Sequence, residues 1–342
     1  MGDVDVPWRA LAVVLLAAIA ISAGLIMALR PLLVRYALAR PNARSSHVQP
    51  TPQGGGIAVV VAALASLWLG AALAGLAGES QLAGLTLAAA ILALIGVVDD
   101  IRGLGPVSRL LVQAVAVGVV IATLPSDFRI VPLLPRALEW VLLLVGGVWF
   151  VNLVNFMDGL DLMTAAEIVP ITGALVLLGW LGELPASTTL ASAALFGAIL
   201  GFAPFNRPVA RIFLGDVGSL PIGLLVGWCL LQLAWHQQFV AALLLPLYYL
   251  TDATVTLFRR MARRERFWTA HRTHLYQRAT DNGFSVWRVV SEVFALNVVL
   301  AALAIGSVIT SSPVIDGLLL VTGGIATTVL LHRFSRPCPS RG

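Results

Sequence analysis

The 342-residue sequence is 59% hydrophobic and only 11% charged, with a mean hydropathy of +0.93. This composition excludes an ordinary soluble protein, which needs more charge at its surface, and it predicts a polytopic membrane protein. The formal net charge is +5 and every basic residue is an arginine, so a phosphate contact must use arginine, histidine or backbone N–H groups.

Eleven apolar segments are each long enough to cross about 30 Å of hydrocarbon, and they predict an all-α, multi-pass fold. The first is expected to be a retained span rather than a signal peptide, because it lacks a small-residue cleavage site. The chain, 1–342, is expected to form one transmembrane domain with a basic loop at 258–286. The segments lie near 8–29, 54–76, 81–98, 108–125, 138–155, 163–181, 188–205, 214–235, 239–257, 287–309 and 313–332.

Arginine is distributed unequally between the two sets of connecting segments. One set carries 19 arginines, whereas the other carries only Arg9, Arg129 and Arg136. By the positive-inside rule, the arginine-rich set faces the cytoplasm. The N-terminus is then expected outside and the C-terminus in the cytoplasm, as an odd number of spans requires.

Five polar motifs all fall in the arginine-rich connections. Taken alone, each motif has a purely structural interpretation. These are solvated charges at a helix end, a glycine-containing turn, a helix N-cap or a solvent-exposed basic loop. The motifs are SSHVQPTPQGGG (45–56), VDDIRGL (98–104), NLVNFMDGLDLM (152–163), FNRPVARIFLGDVGSLPIG (205–223) and WTAHRTHLYQRATDNG (268–283).

Taken together, the motifs place five carboxylates at or near the depth of the membrane surface. Ionisable groups there are costly and usually functional, and converging acids need a cation. Hard oxygen ligands without thiolates predict Mg²⁺, or Mn²⁺ in its place. The five residues are Asp99, Asp100, Asp158, Asp161 and Asp216.

Groups suited to phosphate lie beside these acids. They are the glycines at 54–56, Gly215 and Gly218 before a helix, and the two arginines Arg109 and Arg272. Because helix N-termini favour anions, we predict a metal–pyrophosphate site at the cytoplasmic surface of the membrane.

The ordered set PTPxGGG, VDD, NxxDGxD, FxGDxGS and HxxH resembles the polyprenyl-phosphate N-acetylhexosamine-1-phosphate transferases, glycosyltransferase family 4. The resemblance runs from Pro50 to about Asn282. It implies a single displacement at the bacterial inner membrane, in which a lipid phosphate attacks the β-phosphate of a UDP-sugar and UMP leaves. The implied partners are a UDP-sugar donor, an undecaprenyl phosphate acceptor and membrane lipid, with no nucleic acid. A homodimer is suggested by analogy with the family.

The resemblance also implies a role for each site residue of this single transmembrane catalytic domain. Asp99 and Asp100 would orient or deprotonate the lipid phosphate, and Asp216 would bind Mg²⁺ with Asp158 as its partner. Four residues would line the uridine pocket, and four others would contact the phosphates and the sugar. The uridine set is Asn155, Asp161, Asn206 and Phe213, and the phosphate and sugar set is Arg109, His271, Arg272 and His274.

The sequence departs from the family pattern at three positions. Leu162 stands where a second glycine is usual, Arg109 stands where a lysine is often found, and His47 replaces a basic group before the PTP motif. The turn after Asp161 is therefore open to change. Arg109 keeps the charge but replaces a point-charge contact with a planar one.

The branch of the family and the sugar remain open. The motif HRTHLYQR differs from the HHH run of the phospho-N-acetylmuramoyl-pentapeptide transferases and is closer to enzymes that initiate O-antigen synthesis. The sugar is expected to be GlcNAc or a 6-deoxy HexNAc such as FucNAc or QuiNAc, with the muramoyl branch as the alternative. A transporter is disfavoured, since only Glu167, Asp252 and Glu292 are candidate intramembrane acids and no internal repeat is visible.

Overall fold

The computed structural model describes residues 8–39, 50–265 and 272–338, and this part of the chain is almost entirely helical. A two-residue antiparallel pair, β1 (Leu38–Ala39) and β2 (Thr51–Pro52), and a short 3₁₀ turn at Ala203–Phe205 accompany the helices. The helices are α1 (Trp8–Tyr36), α2 (Gly55–Leu73), α3 (Ser80–Arg102), α4 (Pro106–Ala122), α5 (Arg136–Phe156), α6 (Met163–Trp180), α7 (Ala186–Phe202), α8 (Asp216–Trp235), α9 (Phe239–Leu244), α10 (Leu247–Ala262), α11 (Leu275–Asp281), α12 (Val286–Thr310) and α13 (Pro313–Phe334).

The predicted all-α, multi-pass membrane fold is confirmed. Within the described residues, nine helices are long and apolar enough to span a membrane. Of the other two predicted segments, the fourth forms the 17-residue helix α4. The ninth is divided between α9 and α10, with Pro246 at the division. Proline lacks an N–H and clashes with the preceding turn, so it separates a six-residue apolar helix from one that carries polar groups.

Helix α8 is the most deeply buried of the nine spanning helices and organises the bundle. It packs against α2, α3, α5, α7 and α9, while α1 packs on α2 and α7. Its side chains are apolar around nearly its whole circumference after the first turn, which is the pattern of a helix surrounded by other helices. The N-terminus of α8 therefore lies where several motif-bearing helices converge.

Two glycines allow α2 and α8 to approach closely. A Cβ atom on Gly56 would lie 2.3 Å from both the Cα and the N of Gly218. Only hydrogen atoms fit between the two backbones at this crossing. The GGG and GDVGS motifs thus have a packing role that fixes the N-terminal ends of two helices side by side.

Gly56→Ala is expected to destabilise the protein by about 1–3 kcal/mol, because the added methyl group overlaps backbone atoms that cannot rotate away. Gly118→Ala in α4 is the matched control, since a Cβ there meets nothing within 4 Å. The measurement is the thermal unfolding midpoint, Tm, of both variants in detergent. Equal Tm values for the two variants would contradict the close approach of α2 and α8.

Candidate active site

The described residues of all five polar motifs meet at one end of the bundle, around the N-terminus of α8. Gln53 from the first motif donates to Asp100 at 2.6 Å, and Asn155 donates to Asp216 at 2.8 Å. The last motif reaches the same region through Tyr276, whose hydroxyl donates to the carbonyl of Phe156 at 3.0 Å. Segments separated by more than 200 residues in sequence thus converge as predicted.

Asp100 caps the N-terminus of α8 from the neighbouring helix α3. Its Oδ1 accepts the backbone N–H of Asp216 at 2.9 Å, and its Oδ2 accepts that of Val217 at 3.2 Å. The first N–H groups of a helix have no partner within the helix, and a carboxylate satisfies them and complements the helix dipole. Gly215 has φ of 77°, and a Cβ on it would lie 2.5 Å from Asp100 Oδ2. Position 215, directly before Asp216, therefore requires glycine.

Arg109 connects two carboxylates of the cluster, one from α3 and one from α8. Its Nη1 lies 2.7 Å from Oδ2 of Asp99 and 3.4 Å from Oδ2 of Asp216. Asp99 also accepts the backbone N–H of Leu104 at 2.5 Å. The Asp99 side chain is 7% exposed, whereas Arg109 and Asp216 are each 25% exposed. The arginine predicted to contact phosphate thus neutralises two acids and still reaches the solvent-accessible side of the cluster.

Asn155 orients the Asp216 carboxylate. Its Nδ2 donates to Oδ1 of Asp216 and to Oγ of Ser219, both at 2.8 Å. Asp216 is therefore held on one side by an amide from α5 and on the other by the guanidinium of Arg109. The assignment of Asn155 to the nucleotide pocket stays a prediction, to which the structure adds this contact with the first turn of α8.

Asp158 lies in the turn between α5 and α6, where Thr164 donates its hydroxyl to Oδ1. Burial raises the pKa of Asp158 to about 7, and the like charges of Asp100 and Asp161 act in the same direction, although the Thr164 hydrogen bond opposes them. The Asp158 carboxyl group is therefore a weaker acid than a solvent-exposed aspartate.

The donor set fits a divalent ion bound together with phosphate. Asp99 and Asp216 contact the same nitrogen of Arg109, so their oxygens lie close together. Within residues 8–39, 50–265 and 272–338, no group of three or more His, Cys, Asp or Glu side chains is arranged to hold an ion. Mg²⁺ usually takes one or two protein carboxylates and completes its shell with water and substrate phosphates, so a site that offers the Asp216 carboxylate beside bound phosphates fits the ion.

Asp161 and Asn206 join the α5–α6 turn to the segment before α8. Oδ2 of Asp161 accepts the N–H of Ala210 at 3.0 Å, and Oδ1 of Asn206 accepts the N–H of Leu162 at 2.7 Å. Both side chains are nearly buried. Leu162 adopts φ of 61°, so it keeps the left-handed conformation that a glycine would adopt easily.

The glycines at 54–56 do not form a phosphate cradle, and that prediction is wrong. The N–H groups of Gly54 and Gly55 donate to the carbonyl of Phe213 at 3.2 and 2.8 Å, and that of Gly56 donates to Leu214 at 2.8 Å. These donors are occupied by the backbone that leads into α8. Phe213 itself is half-buried, and its N–H donates to Pro52 at 2.8 Å.

The last motif approaches the α5–α6 turn from the other side. His271 lies outside the described residues. His274 is buried, with its ring centroid 6.4 Å from that of Phe156. Arg272 Nη2 lies 3.2 Å from Oδ1 of Asp281. The structure thus places His274 beside Phe156 at the edge of the site, with Arg272 two residues earlier in the same segment.

An apolar groove of about 270 Å³ lies deeper in the bundle than the carboxylate cluster. Residues of α4, α5, α8, α9 and α10 line it. Val117, Val151 and Gly223 in its wall lie on the same helices as Arg109, Asn155 and Asp216, between one and about two helical turns further into the bundle. The polar cluster and the apolar groove therefore lie on the same three helices, with the groove further from the N-terminus of α8.

Four residues in and around the site were not singled out from sequence. Gln53, Thr164, Ser219 and Tyr276 hold aspartates or the backbone beside them. Gln53, Ser219 and Tyr276 lie inside quoted motifs, so the signal was present, but their partners lie far away in sequence. Thr164 could have been noticed as a hydroxyl three residues after the DGLD turn.

Comparison with known proteins agrees with this geometry. The sequence profile of glycosyl transferase family 4 matches residues 82–234, which include all five aspartates. The decaprenyl-phosphate N-acetylglucosaminephosphotransferase of Mycobacterium leprae (strain TN) is 30% identical, over 87% of this chain and 84% of that protein. The probable undecaprenyl-phosphate N-acetylglucosaminyl 1-phosphate transferase of Bacillus subtilis (strain 168) is 26% identical, over 79% and 76%. The phospho-N-acetylmuramoyl-pentapeptide-transferase of Geobacillus kaustophilus (strain HTA426) is 34% identical, over 51% and 58%. This chain therefore belongs to glycosyl transferase family 4, as its ordered motifs indicated.

Proposed function

We propose that the protein transfers N-acetylhexosamine-1-phosphate from a UDP-sugar to a polyprenyl phosphate. An oxygen of the lipid phosphate forms a bond to the β-phosphorus of the donor, and the bond from that phosphorus to the bridging oxygen breaks. The electron pair leaves with UMP, and the product is a polyprenyl-diphosphate sugar. The reaction needs positioning and charge neutralisation more than covalent help from the protein.

The observation that carries the proposal is the Asp99–Arg109–Asp216 cluster, together with an apolar groove on the same helices one to about two helical turns further into the bundle. A polyprenyl phosphate has a long hydrocarbon chain and one charged end, so it needs an apolar surface in the same helices as groups that handle phosphate. A sugar nucleotide alone would not need the groove. An apolar substrate alone would not need the carboxylates.

Each residue of the cluster has a distinct task in this reaction. Asp216, with Asp158 as its partner, would hold Mg²⁺, and the ion would supply neutralisation of charge on the diphosphate. Arg109 keeps Asp99 and Asp216 together and offers its guanidinium to a phosphate oxygen. Asp99, at the α3 end of the cluster, faces the acceptor and orients its phosphate or accepts its proton.

The donor sugar is best supported as GlcNAc. The relatives that align over most of this chain are named for N-acetylglucosamine, whereas the muramoyl-pentapeptide enzymes align over about half of it. A 6-deoxy HexNAc differs by one hydroxyl group and remains the second candidate. The product would begin a cell-surface glycan such as an O-antigen.

The test is UMP release by the purified protein from a panel of UDP-sugars, with undecaprenyl or decaprenyl phosphate and with Mg²⁺ or Mn²⁺. We expect UDP-GlcNAc to give the fastest release and a chelator to stop it. Fast release only from the muramoyl-pentapeptide donor would support the alternative branch. No release from any UDP-sugar would refute the proposed reaction.

The proposed site requires that the carboxylate end of the bundle face the cytoplasm, where UDP-sugars are made. We place the protein in the bacterial inner membrane with its N-terminus outside and its C-terminus in the cytoplasm. A topology reporter after Arg341 is expected to be cytoplasmic, and one inserted near Asp127 is expected to be external. An external reporter after Arg341 would reverse the assigned orientation.

A further inference from the structure

We propose that Asp252 is a positioning residue for the donor end of the site. It would hold segment 272–277, which carries Arg272 and His274, against the turn that carries Asp158. This inference rests on the proposed function, because it assigns segment 272–277 to the sugar nucleotide. Asp252 was noted in the sequence only as an intramembrane acid, and nothing in its local sequence indicates this task.

The contacts of Asp252 show how it holds the segment. The residue lies in α10 and is fully buried. Its Oδ1 accepts the backbone N–H of Leu275 at 2.9 Å, and its Oδ2 accepts that of Tyr276 at 3.0 Å. Thr256, one turn later, donates its hydroxyl to Oδ1 at 3.2 Å. Both carboxylate oxygens are therefore used by the start of α11 or by the helix that carries them.

Helix α11 depends on such a partner. It has only seven residues. A helix this short is not stable alone, because the free-energy cost of nucleation exceeds the stabilisation from one or two turns of hydrogen bonds. Its first N–H groups also lack partners within the helix. A buried carboxylate from α10 satisfies two of them with charge-assisted hydrogen bonds. The position of α11 is thus tied to that of α10.

Tyr276 connects α11 to the carboxylate site. Its hydroxyl donates to the carbonyl of Phe156 at 3.0 Å, and a Cβ on Gly159 would lie 2.2 Å from that hydroxyl oxygen. The tyrosine therefore lies directly on the turn around Asp158. On the same segment, the His274 ring has its centroid 5.8 Å from that of Tyr276, and its Nδ1 lies 3.7 Å from Asp252 Oδ1. One carboxylate thus fixes the distance between His274 and the Asp158 turn.

Glu167 provides a matched control. It is also fully buried and carries a carboxylate between helices, where its Oε2 accepts the Asn297 amide at 2.6 Å. That contact joins α6 to α12 and involves no residue of segment 272–277. If any buried acid in this region affected activity only through overall stability, Glu167→Gln and Asp252→Asn would behave alike.

The experiment compares Asp252→Asn, Glu167→Gln and the wild-type protein in detergent. In Asp252→Asn, an NH₂ group would replace one of the two oxygens that accept the N–H groups of Leu275 and Tyr276, so two donors would face each other. We expect Asp252→Asn to raise the KM for the UDP-sugar about tenfold or more while the KM for the lipid phosphate stays within about twofold. Glu167→Gln should leave both KM values unchanged. An equal rise in both donor and acceptor KM, or the same change in Glu167→Gln, would overturn the proposal.

Hydrogen exchange of the substrate-free proteins separates this inference from the reaction itself. Peptides covering 272–281 should exchange about tenfold faster in Asp252→Asn than in the wild-type protein or Glu167→Gln, because Leu275 and Tyr276 lose an acceptor. Unchanged exchange would refute the positioning role even if the wild-type protein releases UMP. The opposite result is that the wild-type protein releases no UMP but the variant exchanges faster. That result would refute the proposed reaction and the donor assignment, while the contact of Asp252 with Leu275 and Tyr276 would still hold.

Discussion

Asp216→Asn is expected to reduce Mg²⁺-dependent UMP release by about 100-fold or more. The substitution removes the charge from one of the two carboxylates that share Arg109, and that charge would hold an ion between the protein and two phosphates. A loss of about 3 kcal/mol in transition-state stabilisation corresponds to this factor. The Asn155 amide and the cap from Asp100 remain, so we expect the protein to stay folded.

The measurement is UMP release at saturating Mg²⁺, with Tm in detergent as the check on folding. Asp127→Asn is the control, because Asp127 is an exposed aspartate in a connection far from the site. It loses the same charge and should retain wild-type activity. More than about a tenth of wild-type activity in Asp216→Asn would contradict the role of Asp216 as a metal ligand.

The helices and the meeting of the motifs could be predicted because both depend on composition and topology. Apolar segments of about 20 residues form spanning helices whatever their partners are. Motifs confined to alternate connections must share one face of the membrane. The exception was segment 239–257, where hydropathy alone did not reveal that Pro246 divides α9 from α10.

The tasks of individual polar residues could not be predicted in the same way, because hydrogen bonds between distant segments determine them. Gly54 and Gly55 read as phosphate ligands in isolation, yet the Phe213 carbonyl uses their N–H groups. Asp252 read as an isolated intramembrane acid, yet it caps α11 across 23 residues of chain. Neither partner is signalled by local spacing.

The adjacent residues Asp99 and Asp100 show most clearly that local sequence does not determine the task of a polar residue. The sequence gives them identical chemistry and neighbouring positions at the end of α3. Helical geometry turns successive side chains by about 100°, so they meet different partners. Asp99 contacts Arg109 and the N–H of Leu104, whereas Asp100 accepts two N–H groups of α8 and the Gln53 amide.

Substitution of these two aspartates is therefore expected to give different results. Asp99→Asn should lower kcat by about 100-fold or more, because it removes the charge and basicity that would face the acceptor phosphate in the proposed reaction. Its remaining carbonyl oxygen can still accept the Leu104 N–H, so Tm should change little. Asp100→Asn should lower the stability by about 1–3 kcal/mol, since an NH₂ group would replace an oxygen that accepts a buried N–H of α8.

Steady-state kinetics and thermal unfolding of both variants, together with calorimetric binding of the UDP-sugar, distinguish these effects. We expect UDP-sugar binding to Asp99→Asn to stay within a few fold of wild type, because the substitution acts on the acceptor. For Asp100→Asn we expect Tm to fall by a few degrees. Any loss of activity in this variant would result from displacement of the N-terminus of α8. If Asp99→Asn lost nucleotide binding while bound substrate still turned over normally, its role at the acceptor would be wrong. An unchanged Tm in Asp100→Asn would show that its cap on α8 contributes little, and the carboxylate would then be available to the lipid phosphate, as the family resemblance implied for both residues.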